Sequence, residues 1–426
     1  MKRKLMKRKL HNKICCLFLL LCLFLSGCAN VLTEQEDEEP GREAEQIQAV
    51  SGQVPDPVLA LEPGAELELH TLEEFSFLEE GSSFAYKNLS DAEKIWYRDM
   101  EQILGSYGTE IELSGAALEA GLNETYIDRI FQCVLNDHPE LFYVEGYSYT
   151  KYTRYGREDE ILSIDFSGRY SVDYETAKQR YIRIQKAVTE ILSGISDSAD
   201  QYEKVKYVYD TVIRETDYQL DSADNQNIYS VFVNHLSVCQ GYAKATQYLL
   251  NRLGMECALV LGQVQTGEGH AWNLVNIDGS YYYVDTTWGD VSYKSEEDSV
   301  EDQHTMPEIN YDYLNVTTAE LLRTHTLNQD QLMPECIAVD ANYYVREGAL
   351  FFDYDREQMS ALFQRALEED RVDVTIKCAS QECYDKIFNA LVEQAEIFDY
   401  LTGNDMKVVY SRNDIQLSLT FWVTNE

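Results

Sequence analysis

The chain has 426 residues, with 35 Lys+Arg against 74 Asp+Glu, a formal net charge of −39, 45% hydrophobic and 12% aromatic residues. That length fits two to three domains, and the apolar content supplies a core, which excludes wholesale disorder. The acidity excludes a nucleic-acid binder that works by neutralising phosphates and a peripheral protein held by a polybasic patch.

The chain opens with Lys2, Arg3, Lys4, Lys7, Arg8, Lys9 and Lys13, followed by an apolar run from Ile14 to Leu25. The run is short for a bilayer span but suits the apolar region of an export signal, so residues 1–27 read as a signal peptide. It closes in Leu25-Ser26-Gly27-Cys28, which resembles a bacterial lipoprotein lipobox. The resemblance implies cleavage before Cys28 and lipid on that cysteine. The protein is then expected at the extracytoplasmic face of a bacterial cell membrane, held by its anchor. The leader carries seven basic and no acidic residues, so the exported chain stands at −46. Residues 28–70 hold four of the seven prolines and read as an acidic, disordered tether. The six remaining cysteines, Cys133, Cys239, Cys257, Cys336, Cys378 and Cys383, form no CxxC pair and lack zinc-site spacing with the histidines.

Residues 71–170 are expected to form an N-terminal α+β region. Ser90 and Glu93 make a capping-box pattern, and Trp96, Met100, Ile103 and Leu104 share one helical face up to Gly105. A second helix is predicted over Tyr126 to Asn136. Strands are predicted over Leu141–Val144, Tyr147–Tyr152 and Ile161–Phe166. A long amphipathic helix covers Tyr174 to Leu192, and Ser198 with Gln201 is expected to cap another, lined by Val205, Val208, Tyr209, Val212 and Ile213. There is no internal repeat, glycine-rich phosphate loop, GxSxG or HExxH, so the corresponding chemistries lack their usual sequence support.

Chemistry concentrates between Leu236 and Asp290. Ser237 and Gln240 read as an S-x-x-Q cap, and Tyr242, Ala243, Thr246, Leu249, Leu250 and Leu253 recur at helical spacing, with Gly254 as the stop. Cys239 then falls in the first turn of a helix, where unpaired N–H groups favour a thiolate and can bind an oxyanion. A strand is predicted over Cys257 to Val264. His270 to Ile277 and Ser280 to Trp288 follow as a hairpin turning at Asp278-Gly279. That turn pairs Ile277 with Ser280 and sets His270 opposite Thr287, with Asp285 on the same face as His270. Cysteine, histidine and aspartate in these places are the parts of a nucleophile–base–orienter triad.

The motifs V-C-Q-G-Y-A (238–243), G-H-A-W-N (269–273) and Y-V-D-T-T-W (283–288) resemble the transglutaminase-like superfamily, in its bacterial exported branch, over about Asn227 to Asp290. The resemblance implies a papain-like α+β core with a cysteine-bearing helix packed on an antiparallel sheet, here residues 171–338. It implies Cys239 as nucleophile, His270 as base and then acid, and Asp285 as its orienter. The expected activity is acyl transfer or amide hydrolysis on peptide or protein substrates at the cell envelope. Peptidases, amidases, crosslinkers and inactive relatives share these motifs, so a catalytically inactive surface binding protein stays as the alternative. Trp272 and Trp288 flank the site, either as walls of a substrate pocket or as core packing. No cofactor or metal is expected, and no EF-hand pattern supports calcium dependence.

The acidic stretch 291–310 reads as a solvated loop, and His325, an isolated histidine, as structural. Residues 339–426 read as a small C-terminal α+β module for binding or spacing, removable without effect on the thiol. Its predicted elements are a hairpin about Glu347-Gly348, helices at Glu357–Leu367 and Cys383–Phe398, and strands at Val372–Lys377, Lys407–Tyr410 and Gln416–Val423.

Overall fold

The computed structural model describes residues 29–30, 42–50, 84–154, 157–291, 309–328, 332–371, 373–401 and 406–425. The leader, Cys28, most of the tether and most of the acidic loop lie outside the described residues.

The N-terminal region builds on the helix Asp91–Gly105. Ser90 caps it, and Glu93 returns a bond to the Ser90 backbone, completing the capping box read from the sequence. Its apolar stripe, Trp96, Met100, Ile103 and Leu104, is buried against the helix Ile127–Asp137. The strands Val144–Arg154 and Arg157–Tyr170 pair antiparallel. A further strand, Arg42–Val50, pairs with the first of them, so part of the stretch read as a tether is sheet.

Tyr174–Leu192 is helical as predicted. The helix Gln201–Arg214 is capped by Asp200 with Glu203 rather than by Ser198 with Gln201. A carboxylate at that position competes well for the first-turn N–H groups, while Ser198 instead bonds Ser196 in the preceding turn.

The central unit is a helix, Cys239–Arg252, packed on a four-stranded antiparallel sheet. The strand order is Ser280–Val284, Gly269–Ile277, Cys257–Val264, His325–Leu327. Asp278 and Gly279 both take positive φ (50° and 85°), as a two-residue primed turn requires, and Ile277 pairs with Ser280. The ladder reaches only Val284, paired with Asn273. Beyond it the chain leaves the sheet for a short helix, Thr286–Gly289, so Thr287 is not a strand partner of His270. Asp285 itself ends the strand, because its carboxylate caps that helix.

The C-terminal module is a sheet in the order Leu350–Phe351, Asp373–Cys378, Ser418–Asn425, Met406–Asn413, with helices Arg356–Glu368 and Gln381–Phe388. The hairpin expected about Glu347-Gly348 is not formed. Asn342 caps a helical turn, Tyr343–Arg346, and Leu350–Phe351 pairs in parallel with Lys377–Cys378.

Candidate active site

Cys239 is the first residue of its helix, as the motif predicts, but the cap differs from the sequence reading. The cap residue is Val238, with extended backbone and no side-chain hydrogen bond among the described residues. Ser237 turns away to Asn225 O (2.8 Å) and Ser230 Oγ (2.7 Å). The first-turn N–H groups beside Cys239 are therefore not consumed by a side-chain cap, which favours anion binding there. Gly241 explains why this helix start is crowded. A Cβ at that position would lie 1.9 Å from Ser237 Oγ and 3.0 Å from Asn225 O. Asn273, two residues beyond Ala271 on the histidine strand, donates to Ala243 O at 2.9 Å and ties the helix to the sheet one turn after Cys239. Of the six described cysteines, Cys257, Cys336, Cys378 and Cys383 are buried, whereas Cys239 and Cys133 are half-buried.

His270 Nε2 lies 2.8 Å from Asp285 Oδ2, and both side chains are buried. The ring's other nitrogen is left for the Cys239 thiol, which lies near enough to bear on the charge of His270. The three residues named from the sequence thus come together. Burial works against the imidazolium, yet the Asp285 charge and hydrogen bond, reinforced by Cys239, carry the His270 pKa up to about 10. Burial likewise works against the Asp285 carboxylate, but His270 and then a second histidine hold its pKa well below the ordinary carboxylate range.

That second histidine is His325, which the sequence reading set aside as structural. Its Nε2 lies 3.0 Å from the same Oδ2, and its Nδ1 lies 2.8 Å from Thr324 Oγ1. The register explains the meeting. His270 pairs with Gly262 on one side of the strand Cys257–Val264, and His325 pairs with Val264 on the other. Positions 262 and 264 share a face, so both imidazoles project to it. Asp285 Oδ1 meanwhile accepts from Thr287 N and Trp288 N, each at 3.0 Å. Four donors therefore surround one buried carboxylate.

The two tryptophans part company. Trp272 is fully buried in a cluster with Ala258, Val260, Leu274 and Tyr283, and its ring lies 5.9 Å from His270 and 5.0 Å from His325. Trp288, with its ring 6.1 Å from His270, lines a cleft of about 250 Å³ together with Glu268, Tyr313, Thr324, Asn413 and Ile415. The last two belong to the C-terminal module, which therefore contributes to a cleft next to His270.

His270, Asp285 and His325 also form a possible metal donor set, with ligand atoms within 4.8 Å of one another. The ion pairing argues for hydrogen bonding in this arrangement. An ionised Asp285 accepts from both Nε2 atoms, so each carries a proton that metal binding would have to remove.

A helix-borne thiol facing a sheet-borne histidine and an aspartate at the end of the next strand defines the papain-like class of fold. Within it, this chain carries a transglutaminase-like domain: residues 186–286 match the transglutaminase-like superfamily, a range that contains Cys239, His270 and Asp285. The kyphoscoliosis peptidase of Mus musculus is 23% identical over 130 residues, covering 26% of this chain and 20% of the mouse protein. A TGase crystal structure overlaps 35% of this chain and 48% of its own, at 17% identity and a TM-score of 0.25. The periplasmic domain of TgpA from Pseudomonas aeruginosa, bound to ethylmercury, overlaps 30% of this chain and 56% of its own, at 15% identity and a TM-score of 0.19. The chain thus spans about a fifth of the mouse relative and about half of each of these solved structures.

Proposed function

We propose that this protein is a cysteine acyltransferase or amidohydrolase that acts on peptide or protein amides at the outer face of a bacterial membrane. The observation that carries the reading is the buried His270–Asp285 pair, 2.8 Å apart, with the Cys239 thiol beside it at a helix start. His270 takes the thiol proton, and Asp285 stabilises the resulting imidazolium without itself being protonated. The thiolate attacks the amide carbonyl carbon, and the oxyanion forms beside the uncapped start of the helix, with the Cys239 N–H as one donor. His270 then protonates the leaving amine as the C–N bond breaks, leaving a thioester on Cys239. Water or a second amine, deprotonated by His270, attacks that thioester and frees the thiolate.

The cleft lined by Trp288, whose ring lies 6.1 Å from His270, supports a role for Trp288 in holding the acyl donor. The basic leader, the apolar run and Leu25-Ser26-Gly27-Cys28 support lipid attachment at Cys28. The reading is tested by quenching the protein in acid after incubation with a peptide library and measuring intact mass. A hydroxylamine-labile adduct located on Cys239, absent in Cys239→Ala, is the expected result. A reactive library that leaves Cys239 unmodified points instead to a binding protein that keeps the fold.

A further inference from the structure

We infer that His325 is a positioning residue of the same site, acting on His270 through the carboxylate they share. The inference rests on the catalytic reading above and adds a fourth member to its relay.

Three observations carry it. First, His325 Nε2 and His270 Nε2 lie 3.0 Å and 2.8 Å from the same atom, Asp285 Oδ2. A carboxylate oxygen offers about two lone-pair sites, so together they fill it. Second, Oδ1 is taken by the Thr287 and Trp288 N–H groups. Removing His325 would therefore leave a buried acceptor short of one donor and free the carboxylate to tilt about its remaining bonds. Third, His325 is itself held. Its side chain is fully buried, Thr324 Oγ1 meets its Nδ1, and the rings of Trp272, Trp288 and Tyr313 lie 5.0, 4.8 and 5.8 Å from it. A histidine used only for packing has no need of a polar partner at each nitrogen and a three-ring cage.

The chemistry follows from geometry. His270 must offer its Nδ1 to Cys239 when it takes the thiol proton and again when it returns one to the leaving amine. Its ring plane is set by the bond from Nε2 to Oδ2, so whatever fixes Oδ2 fixes the direction of Nδ1. Because Oδ2 is pinned from two sides, the carboxylate cannot follow the imidazole if it swings away. His325 touches neither the thiol nor the expected acyl group in this arrangement, so its effect is transmitted rather than direct.

The test uses the full chain and the rate at which iodoacetamide alkylates Cys239 at neutral pH, located by peptide mass spectrometry, in wild type, His270→Ala, His325→Phe and His325→Gln. Thermal melting is measured alongside. Phe keeps the ring packing and removes the donor, whereas Gln can keep an N–H toward Oδ2. We expect His325→Phe to slow alkylation by about 10- to 100-fold, the scale on which a group that orients a reactive ligand acts, and His325→Gln to recover most of it at equal melting temperature. His325→Phe alkylating like wild type overturns the inference while sparing the catalytic reading. Loss tracking only with the melting temperature, with no recovery in His325→Gln, overturns it too. Wild type alkylating no faster than His270→Ala removes the catalytic reading itself. If His325→Phe does not fold, nitrogen-15 NMR of wild type decides. Two carboxylate-bonded imidazole N–H signals, from His270 and His325, support the inference, and one signal from His270 alone refutes it.

Discussion

Lys377 Nζ lies 3.2 Å from Asp312 Oδ1, with each side chain about 3% exposed. Lys377 belongs to the central strand pair of the C-terminal module, and Asp312 to the short helical turn Tyr311–Tyr313 that packs against the triad's surroundings. Asp312 also accepts from Tyr344 OH, Asn413 Nδ2 and Ser418 Oγ, so with Lys377 four segments of the module converge on one carboxylate. Its neighbour Tyr313 stands 5.1 Å from Trp288 and 5.8 Å from His325, ring to ring.

Breaking that pair strands a charge in the seam between the module and the transglutaminase-like domain. Lys377→Met should cost about 3–5 kcal/mol in urea unfolding, the range for a buried pair stripped of one partner. Pairing it with Asp312→Asn should restore much of the loss, since an amide keeps hydrogen bonds without the charge. A cost below about 1 kcal/mol for the single variant would show that the seam does not hold the two parts together. The same seam predicts that deleting residues 339–426 lowers the stability of what remains.

Asp285 fills all its acceptor sites with donors and orients His270. Asp285→Asn replaces Oδ2 or presents an N–H where two N–H groups already point, so His270 loses its tautomer and its alignment. Acylation of Cys239 should fall by about 10³- to 10⁴-fold, as for an orienting carboxylate in other triads, with a smaller change in substrate binding. Pre-steady-state acylation kinetics read this directly, and a fall of less than about tenfold would remove Asp285 from the relay.

His138 provides a pH test away from the site. Its Nε2 lies 2.9 Å from Glu101 and its Nδ1 lies 2.7 Å from Glu140. Burial opposes its charge, but Glu101 and then Glu140 push the pKa up to about 10. The folded value stands above the ordinary histidine value near 6.5. The stabilisation is therefore fully present below about pH 6.5 and is lost as pH rises toward 10. His138→Leu should destabilise strongly at pH 6, by about 3 kcal/mol, and progressively less toward pH 10. A deficit that stays constant across that range would assign His138 to packing alone.

Gly241 is tested by volume. Ala at this position drives its methyl into Ser237 Oγ and toward Asn225 O. Overpacking of this kind costs about 1–3 kcal/mol, and it moves the loop that leads into Cys239. Gly241→Ala should lower the melting temperature and slow Cys239 alkylation together. An unchanged melting temperature would mean that the loop yields without cost.

Much of this site was legible in the sequence because its signals are local. Cys239 could be placed by the helical spacing of Tyr242, Ala243, Thr246 and Leu249, and the turn at Asp278-Gly279 fixed the hairpin register as far as Val284. What failed to show follows from non-local contact. The ladder stops at Val284 because Asp285 caps the next helix, a competition between strand and cap that alternation does not reveal. His325 sits on a three-residue edge strand whose position depends on pairing with Val264, 61 residues earlier in the chain. A strand that short carries almost no periodic signal. Ser237 looked like a cap by spacing, but its hydroxyl is drawn to Asn225 and Ser230, residues placed beside it only by the fold. The Lys377–Asp312 seam was hidden for the same reason, since nothing in either segment announces a partner 65 residues away.

The central claim is that His270 activates Cys239, and the pH dependence of Cys239 alkylation in wild type and His270→Ala tests it most directly. The account predicts that wild type at pH 6 reacts faster than His270→Ala by about tenfold or more, the advantage shrinking as pH rises and an unassisted thiol ionises unaided. Equal rates in the two proteins across the whole range would contradict it.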